Sequence, residues 1–303
     1  MNQRIVEISE AGQYVHVHRG FLIVSRDKVE RGRVPLADIS VLILSGPGAT
    51  LSTNAVNALL DENCSVVFCG SNYHPKGMVL PVDPHHQHTR RLQQQISVSL
   101  PLKKRLWQSL VRAKIANQAG VLESLQVQDE VLKSFSRRVQ SGDSENLEAQ
   151  AARRYWPLVF GNDFRRDVEG EPPNSLLNYG YAIIRAGTAR AISISGFHPA
   201  LGLHHHNQSN AFCLADDLME PFRPIVDRAV KHWVDQGENK VNPVTKRKLA
   251  GLLNFELTYS DGVRTLSNGL IKLAQSLARS FENKNAELDL PKTLLPLDWT
   301  ALE

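Results

Sequence analysis

Cysteine is scarce in this sequence: three in 303 residues, Cys64, Cys69 and Cys213. An odd count without paired C-x-x-C spacing excludes a disulfide framework and a four-thiolate zinc site, and the three are read as reduced thiols. No apolar run approaches the ~20 residues needed to span a bilayer, so no membrane partner is expected. The opening MNQRIVEISE lacks the apolar core of a secretory signal, and a cytosolic location is expected. Neither sign of charge dominates. Thirty-five basic and 31 acidic residues leave a net +4, which permits an anionic partner such as nucleic acid without demanding one. Internal repeats and low-complexity tracts are absent. What remains is ordinary: 42% hydrophobic and 22% charged residues, with length enough for one large domain or two smaller ones.

The pattern along the chain divides in two. Residues 1–75 read as a small β domain. Tyr14, His16 and His18 alternate with Val15 and Val17, and Arg19-Gly20 turns the chain into Phe21 to Val24, a hairpin. Ile39 to Leu44 and Ser65 to Cys69 are further strands, and Ser52 or Thr53 caps a short helix between them. Residues 76–89 are rich in proline, glycine and histidine and read as a linker. Residues 90–282 carry helical spacing, with a long apolar helix from Leu176 to about Ile194 expected at the centre. A helix over Val263 to Phe281 ends this part, and 283–303 read as an extended tail. The expected fold class is α+β, a small N-terminal β domain followed by a larger all-α catalytic domain.

The most informative stretch is GFHPALGLHHHNQSNAFCLADDLMEPFRPIVD, residues 196–227. Three adjacent histidines, His204, His205 and His206, precede three carboxylates, Asp216, Asp217 and Glu220. Helical spacing of three or four puts Glu220 on a face with Asp217 or Asp216. Imidazole with carboxylates is a ligand set for a divalent ion, although a loop followed by a solvated acidic helix has the same composition. Pro221 and Pro224 cannot continue a helix smoothly, so Glu220 is expected at a break. A further carboxylate, Glu148, lies in NLEAQAARRYWP. On a helix it shares its face with Ala151, Ala152 and Tyr155, which directs it toward packing. An unpaired buried carboxylate is costly, so it needs Arg153 or Arg154 folded back, a raised pKa, or a metal.

Four segments in order carry a resemblance. LEAQAARRYWP, PPNSLLNYGYAIIRA, GFHPALGLHH and LADDLMEPFRPIVD resemble the motifs of the CRISPR-associated integrase of spacer acquisition, the Cas-one family, over the chain to about residue 282. The spelling HHHNQSNAFCLADDLMEPFRP looks most like the branch found beside the Cas-nine effector (type II). The resemblance implies that Glu148, His205 and Glu220 are catalytic metal ligands, with Asp217 an auxiliary carboxylate. It implies a DNA endonuclease and integrase that inserts short double-stranded fragments into a repeat array at the leader-repeat junction. The chemistry is two transesterifications by a DNA 3′-hydroxyl, with disintegration as the reverse. Oxygen-rich ligation favours Mg²⁺ or Mn²⁺. The implied partners are duplex DNA, a second copy of the chain, the small Cas-two dimer, and the Cas-nine effector with other adaptation factors. The β domain supplies the self-association surface through its strand edges. Basic residues suited to the DNA backbone are Lys103, Lys104, Arg105, Arg112, Lys114, Arg137, Arg138, Arg165, Arg166, Arg185, Lys246, Arg247 and Lys248.

Overall fold

The computed structural model describes residues 4–70, 75–81 and 87–292, and these fall into two units, 1–86 and 87–303. In the first, two-residue alternation makes strands. The elements are β1 (Arg4–Ile8), β2 (Tyr14–His18), β3 (Phe21–Arg26), β4 (Val29–Pro35), β5 (Ile39–Leu44), β6 (Thr50–Leu51), α1 (Thr53–Asp61), β7 (Ser65–Cys69) and β8 (Pro75–Val79). They form two four-stranded sheets, ordered β1-β5-β7-β8 and β4-β3-β2-β6. The β2–β3 hairpin turns through Arg19 and Gly20, both at positive φ, the conformation whose twist matches the flanking strands. All six residues of β5 are buried, as expected of an apolar strand with parallel neighbours on both sides. Ser52 caps α1 by accepting from the Ala55 amide. Val15, Leu22, Leu42, Leu59 and Val66 meet in one core cluster. Residues 76–79, read as the start of the linker, instead belong with Pro75 to β8, which pairs antiparallel with β7. His85 and His86 lie outside the described residues.

The second unit contains α2 (His88–Ser97), α3 (Leu100–Ser124), α4 (Glu130–Arg138), α5 (Leu147–Phe160), α6 (Asn174–Ile194), α7 (Cys213–Met219), α8 (Arg223–Asp235), α9 (Pro243–Gly251), β9 (Glu256–Tyr259), β10 (Gly262–Thr265) and α10 (Leu266–Asn283). Sixteen of the 21 residues of α6 are buried, so it is the central helix. Gly180 lets α8 approach: a Cβ there would stand 2.4 Å from Val226 Cγ1. This unit is mostly rather than wholly helical. Residues 256–259 and 262–265 pair as an antiparallel hairpin, where a helix was expected from Val263. Leu257 and Tyr259 are buried while Glu256 and Thr258 are exposed, a period of two that the short apolar stretch concealed. The acidic helix α7 begins only at Cys213, because Asn210 Oδ1 accepts from the Phe212 amide and forms a turn before it. The last helix stops at Asn283, followed by Lys284 in the left-handed region. Residues 293–303 of the expected tail lie outside the described residues. Among the described residues no helix is long and apolar enough to cross a membrane, and the described cysteines form no disulfide with one another.

Candidate metal centre

The site is assembled from α3, α5, the loop after α6, and the break between α7 and α8. Asp143 caps α5, with Oδ1 accepting from the Leu147 amide at 2.9 Å and Oδ2 from the Glu148 amide at 3.0 Å. Glu148 therefore starts its helix in a fixed place, with Ala151 and Tyr155 buried on the same face. Glu220 opens the 3₁₀ turn Glu220–Phe222, where Pro221 and Pro224 interrupt the helical hydrogen bonds. The carbonyl of Pro221 is satisfied by Asn117 Nδ2 of α3 at 2.8 Å.

The two glutamates converge on one cation. Lys114 Nζ of α3 stands 2.6 Å from Glu148 Oε1 and 2.5 Å from Glu220 Oε2. Arg223 Nε donates to the other oxygen of Glu220 at 2.7 Å. Burial alone would raise the pKa of Glu220, but Arg223 and Lys114 outweigh it and pull it down to about 2. Burial would likewise lower Lys114, yet Glu220 and Glu148 hold its ammonium above the ordinary lysine value. Glu220 Oε2 is buried, and the Lys114 ammonium at 2.5 Å is its ion-pair partner. The partner of Glu148 is thus neither Arg153 nor Arg154; Arg154 pairs with Asp129 at 2.6 Å.

The histidine loop is built around Asp217, which is fully buried. Its Oδ2 accepts from the amides of Leu203 and His204, and its Oδ1 from the amide of His205 at 3.1 Å. His205 Nδ1 stands 2.6 Å from the same Oδ1. A carboxylate only accepts, so Nδ1 carries the proton and the neutral ring keeps its lone pair on Nε2. The bond to Asp217 outweighs burial and raises the pKa of His205, with Glu220 and Asp216 adding to the effect. Gly202 is required here: a Cβ would fall 2.3 Å from the His205 carbonyl oxygen and 2.8 Å from Asp217 Oδ2. The neighbouring histidines are differently engaged. His204 stacks on Trp107 with centroids 4.3 Å apart, and His206 Nδ1 meets the His204 carbonyl. Gln95 of α2 steadies the preceding loop through the carbonyls of His198 and Leu201.

Asp216 faces elsewhere, held by Arg185 Nε and Nη2 at 2.6 and 2.8 Å. Behind the glutamates lies a cluster that sequence spacing did not suggest. Buried Asp227 of α8 accepts from the hydroxyls of Tyr155 and Tyr181, and burial pushes its pKa up to about 7. Arg223 lies over the Tyr181 ring, 4.7 Å from its centroid, which ties this cluster to Glu220. Trp107, Lys114, Arg223 and Asp227 were missed as site residues. The seven-residue interval from Trp107 to Lys114 on α3 was the available signal, since it places both on one face.

Among the described residues no three His, Cys, Asp or Glu side chains form a ready-made ligand cage. Two glutamates nevertheless already share a cation, and the Glu220 oxygen that meets it is buried. With an oriented imidazole that feels the charge of Glu220, that donor set suits a hard or borderline divalent ion.

The remaining basic residues scatter. Lys104, Arg105, Arg112, Arg137 and Arg138 are exposed on α3 and α4. Arg112 donates to the Val139 carbonyl and Arg138 pairs with Glu145. Lys103 Nζ reaches the Gly202 carbonyl at 3.5 Å. Arg165 is exposed, whereas Arg166 binds the side chains of Asn174 and Asn178. Arg185 is committed to Asp216, and Lys246 is buried with its ammonium over Tyr179. Arg247 is exposed, and Lys248 lies over Trp233.

Fold and site together define a two-unit α+β protein whose mostly helical part gathers two glutamates around a buried cation and holds a histidine oriented by an aspartate. The chain belongs to the CRISPR associated protein Cas1 family, whose model matches residues 6–258. This is the family that the four motifs resemble. The chain is 35% identical over 302 residues to the CRISPR-associated endonuclease Cas1 of Neisseria meningitidis serogroup C (strain 8013), covering 98% of both chains. In fold it resembles a casposase bound to integration product, with a TM-score of 0.80 at 22% identity, covering 97% of this chain and 95% of the other. It also resembles a chain of a Cas6-RT-Cas1–Cas2 complex, with a TM-score of 0.77 at 22% identity, covering 97% of this chain and 36% of that one.

Proposed function

We propose that this protein is a metal-dependent DNA integrase that joins the 3′-hydroxyl ends of short duplex fragments to a CRISPR array at the leader-repeat junction. The observation that carries the reading is the meeting of Glu148 and Glu220 at one buried cation, with the oriented ring of His205 within the electrostatic reach of Glu220. Glu148, His205 and Glu220 would hold Mg²⁺ or Mn²⁺. Bound there, the ion would lower the pKa of the attacking hydroxyl and offset charge on the phosphodiester in the transition state. Asp217 acts through His205: both its oxygens are filled by the loop, so it positions the ring. Arg223 keeps Glu220 ionised and aimed. The exposed cations of α3 and α4 serve the DNA backbone, where each neutralised phosphate contributes about 0.9 to the salt slope. No protein nucleophile is required, because the DNA end attacks.

Two ends of one fragment require two active sites, so the working form is at least a homodimer, with the edges of the N-terminal sheets as the self-association surface. The neighbouring Cas1–Cas2 assembly supports a small Cas-two dimer as partner. The spelling of residues 204–224 supports the type II branch, with the Cas-nine effector nearby. The endonuclease name of the Neisseria relative favours a second reading, hydrolysis by water at the same site. A labelled fragment incubated with repeat DNA and Mn²⁺ separates the two: longer joined products mean transesterification, and shortened products alone mean hydrolysis. E148Q, H205A and E220Q are each expected to lower joining on the order of 100-fold while DNA binding changes little. Full joining by all three variants would refute the site.

A further inference from the structure

Lys114 is a basic residue of a helix that carries exposed cations toward solvent, yet its own ammonium is turned inward. Its side chain is 13% exposed, and Nζ lies 2.6 Å from Glu148 Oε1 and 2.5 Å from Glu220 Oε2. These two oxygens come from different elements, α5 and the turn before α8, which no shared backbone holds together. Without a cation between them, two carboxylates so close would repel, and the buried Glu220 oxygen would have no partner at all. A lysine suits such a place better than an arginine. Its charge is compact, and its four-carbon stem can swing aside.

We propose that Lys114 is an internal counter-ion: it keeps Glu148 and Glu220 in place while the site holds no metal, and the divalent ion must compete with it for both carboxylates. The inference rests on the metal-site reading above. Charge arithmetic gives it a consequence. Two glutamates against Lys114 and Arg223 sum to zero (−2 + 2), so these four groups are balanced without metal. A divalent ion brings that sum to +2, leaving the displaced ammonium in need of an anion. A phosphodiester is the anion the proposed reaction would supply, so loading of the ion and binding of a phosphate at the site would reinforce each other.

The test is Mn²⁺ titration of the full chain, followed by electron paramagnetic resonance, with melting measured with and without Mn²⁺. Wild type is compared with K114M, K114Q, K114R and E220Q. The expected result is that K114M and K114Q bind Mn²⁺ at least about tenfold more tightly than wild type, because the competitor is gone. Both should also melt lower than wild type without the ion and gain more from it. K114R, which keeps the charge, should stay near wild type. Equal or weaker Mn²⁺ affinity in the neutral variants overturns the proposal, as does K114R matching them. If K114M does not fold alone, folding on addition of Mn²⁺ supports the proposal, and failure to fold in both conditions counts against it. Failure of the metal-site reading looks different: wild type and E220Q would then bind Mn²⁺ alike, or neither would bind it.

Discussion

Asp227 offers a prediction whose size follows from the structure. Its side chain is buried between two tyrosine hydroxyls, and burial lifts its pKa from 3.8 to about 7 against the pull of those hydrogen bonds, Arg223 and Lys114. Between these two values the folded protein holds a proton that the unfolded chain has released. Stability contributed at this site therefore falls as pH rises from about 4 and levels off above about 7 to 8. A shift of about three units at ~1.4 kcal/mol each makes the full loss ~4 kcal/mol. About 2 kcal/mol of it falls between roughly pH 5.5 and 8.5. The perturbation is Asp227→Asn. An amide cannot ionise, but its oxygen accepts from one tyrosine and its N–H donates to the other. The variant should gain on wild type by about 2 kcal/mol across that range, roughly 4–8 °C of Tm for a unit of this size. Calorimetry of both proteins in chelator, at several pH values, reads the difference. A difference that stays constant with pH, or that shrinks on the alkaline side, would refute the reasoning.

Two further outcomes follow from the histidine loop. Gly202→Ala would put a methyl group 2.3 Å from the His205 carbonyl oxygen, so the loop must move. Mn²⁺ affinity is then expected to fall about 10- to 100-fold with the circular dichroism spectrum unchanged. Wild-type affinity in this variant would show that the loop does not position a ligand. His205 must be neutral to bind a metal, and its pKa is raised mainly by the bond to Asp217. Mn²⁺ affinity should therefore start to fall on acidification above the pH of an ordinary histidine, by about tenfold per unit once the ring is protonated. Titrations at a series of pH values check this, with H205A losing the dependence; an onset at or below the ordinary histidine range would contradict it.

The general layout was legible because it rests on local patterns. Alternation of Tyr14 to His18 with a turn at Arg19-Gly20 encodes a hairpin wherever it lies, and the two prolines after Glu220 break a helix in any context. Four motifs in order were sufficient to name the family. The hairpin at 256–265 escaped because a stretch of four residues has too few periods to distinguish strand from helix. Lys114 was read as one more surface cation, since nothing in its sequence neighbours says which way a long side chain turns. Only packing decides that: α3 passes between the start of α5 and the turn before α8, and there the ammonium meets both glutamates. The choice among three adjacent histidines is of the same kind. Their order in the chain carries no orientation, and the buried carboxylate of Asp217 takes the ring of His205 alone because tertiary structure brings that one ring to it. Sequence by itself determined the family, most of the elements and the residue types of the candidate site. The pairing of those residues depended on charges from distant segments being buried together, where a carboxylate must have a partner.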